Sequence, residues 1–217
     1  MSSKKEKIEA PKIPAYLEPI TLSDYELEDE QILTDGIFQD CEITNQTGYK
    51  VCFDRLRFTN TTFRGINLNK AEFTDVVFEN CDLSNINLNE SIFHRVIFHK
   101  CKLLGVDLSG STLRNVVFDT CYADYAVLRF ANAKLVKLMN SSFAKADFFS
   151  MNISSIIFEE TNLDQTQFSQ TKLGGIDLSS CDFESLGASL EDLQGCIISP
   201  MQAAVFASLF GLVVNRD

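Results

Sequence analysis

The 217-residue chain has no tryptophan, only four prolines and only ten glycines. It has no apolar run long enough to cross a bilayer, and its opening residues, MSSKKEKIEA, are polar. Neither a membrane span nor a secretory leader is therefore expected, and the setting predicted is cytoplasmic. Seven cysteines occur without a CxxC pair. In a reducing compartment that spacing argues against disulfides and against a zinc site. The two histidines, His94 and His99, each fall just after a period-five apolar centre and hence outward on adjacent sides, with no cleft to gather partners, so no metal, cofactor, small-molecule substrate or catalytic residue is expected. A formal charge of −11 opposes direct contact with nucleic acid and suits a basic partner.

What the chain has is phenylalanine, 18 of them, in a strict register. Every fifth residue from Phe38 to Phe183 is Leu, Phe or Ile in 27 of 30 positions; Gly48, Ala123 and Ala133 are the departures. Two residues before all but three of these centres stands a small or β-branched side chain, as at Ala71, Cys81, Ser91 and Val106. The residue between is often polar, as at Asp82, Asn87, Asp107 and Asn162. A helix repeats at 3.6 and a strand at 2, so a period of five fits neither. It fits a coil whose side reads inward, outward, inward and then turns a corner.

A second period sets the number of corners. Cys41, Cys81, Cys101, Cys121 and Cys181 are separated by multiples of 20, and Thr61, Ser141 and Thr161 fill the same column. One coil is therefore 20 residues with four sides. Coils stacked about 4.8 Å apart give a rod of roughly 36 Å with like side chains in ladders. The register resembles that of the pentapeptide-repeat family, A(D/N)LXX, over residues 36–185. The resemblance implies an all-β fold, a right-handed quadrilateral β-helix of about 7–8 coils. Residues 1–20 are expected to be a disordered leader, 21–185 the β-helix, and 186–217 a C-terminal cap and dimerisation module.

Beyond Phe183 the period ends. Cys196–Ile198 reads as a short strand, Ser199 as an N-cap, Pro200 as a first helical residue, Gly211 as a helix stop and Leu212–Val214 as a last strand. The helix over 200–210 is too apolar for one stripe. Met201, Val205, Phe206, Leu209 and Phe210 either cover the last coil or join two chains, and a homodimer is the expectation. This arrangement resembles the C-terminal dimerisation module of the quinolone-resistance (Qnr-type) pentapeptide proteins and of the mycobacterial fluoroquinolone-resistance protein. In that family two rods join end to end, imitate duplex DNA and occupy the DNA-binding saddle of DNA gyrase. The resemblance implies a type II topoisomerase as partner. The loops inserted into the coil of the plasmid-borne members have no counterpart in this register.

Charge is unevenly spread. Residues 36–145 hold 11 acids and 13 bases, whereas 146–185 hold Asp147, Glu159, Glu160, Asp164, Asp177, Asp182 and Glu184 against Lys172 alone. These seven acids are the candidate partner-binding zone. His94, Arg114 and Lys134, spaced by 20, form a basic column that suits DNA imitation poorly. The alternative is a general scaffold docking an unknown protein through apolar outward residues, with Val77, Ile97 and Val117 as the stripe; β-branched residues also favour strands in their own right. Tyr122, Tyr125, Phe130 and Phe149 are further outward aromatics.

Overall fold

A computed structural model describes residues 7–20, 26–209 and 211–214. It is a solenoid of about eight coils in which parallel strands pair at a spacing of 20 residues. Glu72–Glu79, Ile92–His99, Thr112–Asp119, Asn132–Met139 and Asn152–Glu159 form the longest strands. Each bends around a corner, so that one eight-residue strand covers two sides. The register is direct: Phe78 lies on Phe98 and Phe98 on Phe118. The other two sides are held by single parallel bridges, such as Asp82 to Lys102 and Asn87 to Asp107.

The inward residues are the predicted ones. Phe38, Phe58, Phe78, Phe98 and Phe118 stack with ring centroids 4.7–4.9 Å apart and nearly parallel planes. Phe53, Phe73 and Phe93 form a second stack at 4.8–4.9 Å. That spacing is the interstrand distance of a sheet, so the coil repeat and the aromatic repeat coincide. Gly48 is buried at a centre position because a Cβ there would meet a Val51 methyl 2.5 Å away.

The small inward column is more than filler. The thiols of Cys81, Cys101 and Cys121 donate to the carbonyls of Phe58, Phe78 and Phe98 at 3.3–3.5 Å. Ser91, Ser111, Thr161, Thr166 and Thr171 donate in the same way to the carbonyl 23 residues earlier. In the column from Cys41 to Cys181 every coil supplies a small side chain with a donor, which is why Cys, Ser and Thr interchange there, whereas the other columns also take Ala71, Val106 and Ala131.

Corners are made by left-handed backbone. The second residue after nearly every centre has a positive φ, near +55° at Asp40, Asn60, Asn80, Asp75, Asn115 and their equivalents. Asn and Asp tolerate that region best among residues with a Cβ, which accounts for their frequency there. One corner departs. Lys134 pairs with Ser155, and the left-handed turn seen at residues 75, 95, 115 and 135 is replaced by a bulge where Ile153 lies on Ala133.

The ends differ from expectation. Residues 7–20 were expected to be disordered, yet they lie against the rod. Glu18–Pro19 pairs in parallel with Gly36–Gln39, adding a rung below the first coil. At the other end a short helix, Leu190–Leu193, starts from Ser189, whose side chain and Asp192 form a reciprocal capping box. The terminal helix runs over Pro200–Leu209 among the described residues; Phe210, the last residue expected in it, lies outside them. Gly211 (φ +79°) stops it: Gly211 N–H donates to Ser208 O and Leu212 N–H to Ala207 O. The two short strands expected here are absent from the described residues. Ile197 makes one bridge, to Asp177, and 212–214 run exposed with no further coil to pair with.

Candidate functional site

The acidic zone sorts by what each carboxylate already does. Asp147 Oδ1 accepts from the N–H of Phe149 at 2.9 Å, and its other oxygen lies 3.6 Å from Arg129. Asp177 accepts from the N–H of Ser179 at 2.9 Å, and that bond with the Ser179 hydroxyl holds its carboxyl below the ordinary value. Asp82, Asn87, Asp107 and Asn162 close the same turn two residues on. The outward Asp or Asn of the repeat is therefore a corner-former, and Asp147 and Asp177 belong to the scaffold. Asp164 bonds the N–H groups of Glu184 and Ser185 in the next coil at 2.9 and 3.1 Å. Burial pushes its pKa up, but those bonds and Gln165 outweigh burial and leave it lowered. Glu159 is engaged by Lys137 at 2.7 Å.

Glu160, Asp182 and Glu184 remain. All three are exposed and make no ion pair among the described residues. With Asp164 they share one side of the last two coils, with Glu159 at its edge; Asp147 and Asp177 sit on neighbouring sides. In the column of Asp182 the coils below carry Asn162, Ser142, Tyr122 and Lys102. The negative surface is therefore a terminal patch and not a stripe along the rod.

At the C-terminal cap the proposed interface residues divide. Phe206 is 8% exposed and packs edge-on against Phe183 at 5.6 Å, and Val205 is half-buried against the core. Most of the Phe206 surface is thus already covered within the chain, and Val205 keeps part of its own exposed. Met201 is 88% exposed, and Leu212 and Val213 are exposed beyond the helix. The Leu209 side chain and Phe210 lie outside the described part of the structure. Gln202 was not foreseen: its amide donates to Leu178 O and Cys181 O at 2.8 and 2.7 Å, closing the open end of the last coil. The signal was present as Ser199-x-x-Gln202, a capping box, with Gln202 Oε1 accepting from Ser199 N–H at 2.8 Å.

Val77, Ile97 and Val117 form a continuous half-buried ladder on one side. Arg57 and Lys137 bound it, bridged to Glu79 and Glu159. The column of His94, Arg114 and Lys134 is also in register. Burial, then Arg95 and Arg114, lower the His94 pKa. Elsewhere Phe130 and Phe149 meet at right angles, 5.6 Å apart, with the Arg129 guanidinium over both rings. A shallow depression of about 460 Å³ is lined by Lys172, Gly174, Glu191, Asp192 and Gln194, with Lys172 3.1 Å from the buried Asp192. Among the described residues no cluster of three metal-ligating side chains forms, and no helix is long and apolar enough to cross a membrane. Burial pushes the Cys181 thiol up to about 11.

Comparison with known proteins follows the same geometry. No curated protein matches the chain. Among solved structures, a trypsin-treated form of QnrB1, described as a plasmid-mediated fluoroquinolone resistance protein, is 19% identical, covering 82% of this chain and 99% of its own, with a TM-score of 0.45. HetL, a pentapeptide repeat protein involved in heterocyst differentiation regulation in the cyanobacterium Nostoc sp. strain PCC 7120, is 16% identical, covering 78% and 90%, with a TM-score of 0.34. Two family descriptions match directly: "Pentapeptide repeat region" over residues 91–168 and "Pentapeptide repeats (9 copies)" over residues 58–102. Together these cover just over half of the chain, residues 58–168, and with the 20-residue register of the coils they mean that the chain belongs to the pentapeptide-repeat family.

Proposed function

We propose that the chain is a non-catalytic protein-binding rod whose acidic terminal patch docks in a basic groove, the partner being a type II topoisomerase such as DNA gyrase engaged as if by DNA. The observation that carries this reading is the gathering of Glu160, Asp182 and Glu184, all exposed and unpaired among the described residues, on one side of the last coils. Carboxylates without internal partners are free to face the cations of another protein, and such contacts weaken with salt. The interior is compatible with a role played on the outside: among the described residues it is filled by stacked side chains. The partner class rests on the likeness of the C-terminal segment to the Qnr-type module.

Self-association belongs to the same reading. Met201, Leu212 and Val213 are apolar and exposed at the C-terminal end, beside the acidic coils, so two rods joined there would place both patches at the centre. Light scattering at micromolar concentration is expected to give about twice the 24.4 kDa chain mass. A mass of one chain would remove this part of the proposal.

The functional test is a gyrase supercoiling and drug-stabilised cleavage assay with the pure protein. The wild type is expected to alter one or both. Glu160→Gln, Asp182→Asn and Glu184→Gln together should fold normally and lose most of that effect, since these three carboxylates support no internal bond that the amides would break. No effect of the wild type would discard the topoisomerase reading. The second reading, a scaffold docking another protein on Val77, Ile97 and Val117, would then stand on the continuity of that apolar ladder.

A further inference from the structure

The corner column of the rod reads Asp35, Arg55, Asp75, Arg95, Asn115, Leu135 and contains the same ion pair twice. Arg55 grips Asp35 through Nε–Oδ1 at 2.6 Å and Nη2–Oδ2 at 2.8 Å. Arg95 grips Asp75 through the same atoms at 2.5 and 2.6 Å. The two pairs are 40 residues apart and identical in form, but their surroundings differ. The Arg55 and Asp35 side chains are 38% and 45% exposed, whereas those of Arg95 and Asp75 are 14% and 8% exposed. Asn115 and Leu135, farther along the same outer edge, are buried as well.

The cover is the N-terminal segment. The N–H of Lys12 donates to Asp75 Oδ1 at 2.8 Å, the N–H of Glu9 donates to Asn115 Oδ1 at 3.1 Å, and the Glu9 carboxylate lies 4.0 Å from Arg95. Ile8, Pro11 and Ile13 are half-buried. Asp75 and Asn115 are two coils apart, about 9.6 Å at the sheet spacing. Residues 9 and 12 span about 10 Å only when fully extended. The segment therefore runs straight along the rod axis, against the direction in which the coils progress. Among the described residues, no backbone-to-backbone bond holds residues 7–17. The corner holds the segment by side-chain acceptors that take backbone donors three residues apart, together with apolar contact on either side of a proline.

We propose that the Asp75–Arg95–Asn115 corner is a docking site for an extended peptide with β-branched residues flanking a proline, and that residues 7–13 of the chain are its built-in occupant. The arm masks the site in cis. A tethered occupant competes at an effective concentration that a free peptide matches only near the millimolar range. The intact chain therefore conceals an affinity that loosening the arm reveals. This site lies on a different edge from the acidic patch and does not depend on where that patch docks.

The test uses the full-length chain and a fluorescent synthetic peptide of residues 7–16. In one variant, Ile8→Asp with Ile13→Asp removes the arm's apolar contacts and leaves the rod unchanged. That variant should bind the peptide at least about tenfold more tightly than wild type, because its own arm no longer competes. Adding Asn115→Gly, which keeps the left-handed corner and deletes one acceptor, should weaken peptide binding roughly five- to tenfold. In the otherwise wild-type chain, Asn115→Gly alone should speed hydrogen exchange at the Glu9 amide while amides of Thr112–Asp119 stay protected. Equal peptide binding by wild type and the arm variant, indifference of that binding to Asn115→Gly, or a Glu9 amide that exchanges freely in the wild type would each overturn the proposal. Masking by the arm of a second chain, seen as peptide binding blocked only in dimers, would also overturn masking in cis.

Discussion

Phe98→Asp is expected to lower the thermal midpoint by about 10 °C or more, or to prevent folding altogether. Phe98 is fully buried and stacked between Phe78 and Phe118 at 4.9 Å on both sides. Truncating such a ring costs about 3–5 kcal/mol, and a carboxylate placed there finds no cation and no donor. A domain of this size shifts by roughly 2–4 °C per kcal/mol, which sets the scale. Tyr122→Asp is the matched control, since Tyr122 is exposed and its bridge partners are Lys102 and Ser142. It should change stability by no more than about 0.5 kcal/mol. His99 is a poorer control, because its ring lies 2.9 Å from Asp119 and an aspartate there would add repulsion. Equal losses in Phe98→Asp and Tyr122→Asp would contradict the assignment of inward and outward positions.

The second large effect is expected at the cap. Gln202 is 7% exposed and its amide supplies donors to two buried carbonyls, Leu178 O and Cys181 O. Gln202→Leu keeps the volume and removes both donors. Leaving buried acceptors without partners costs about 1–3 kcal/mol each, so a loss of at least about 2 kcal/mol is expected, concentrated in the last coil. Hydrogen exchange should locate it: amides of Leu178 and Cys181 should exchange faster, while those of Ile92–His99 should not. Met201→Ser, on the exposed face of the same helix, should leave both readouts alone in dilute solution. Unchanged protection at Leu178 and Cys181 would mean that the helix is not what closes the rod.

The fold was legible because each coil restates the same requirement. A Phe at 58, 78, 98 and 118, or a Cys at 81, 101 and 121, is one interior position written again and again, and a period of five cannot serve a helix or a flat strand. The chemistry of those columns was only half legible. Cys101 reads as a small hydrophobe, whereas in the rod its thiol also satisfies the carbonyl of Phe78, a partner 23 residues back that periodicity does not point to. Outward positions were harder. Asp147 and Asp177 look like surface charge in the sequence, but each is spent on the N–H two residues ahead, while Glu160 and Glu184 hold no such bond. Asp192 and Gln202 stand in capping-box spacing with Ser189 and Ser199, so these two caps are written locally in the sequence. The arm was illegible for a different reason. Lys, Glu and Pro in residues 1–16 describe a solvated segment, and the contacts that order residues 9 and 12 lie 106 and 63 residues away, at an edge whose acceptors Asn115 and Asp75 look like any other corner.

The most direct measurement of the central claim, a closed 20-residue coil with fixed inward columns, is a count of reactive thiols. Cys81, Cys101, Cys121 and Cys181 are buried, whereas Cys41, Cys52 and Cys196 are partly accessible. Ellman's reagent should therefore react promptly with at most three of the seven thiols in the native protein and with all seven in denaturant. Prompt labelling of Cys81, Cys101 or Cys121 in the native state, identified by mass spectrometry, would contradict the account.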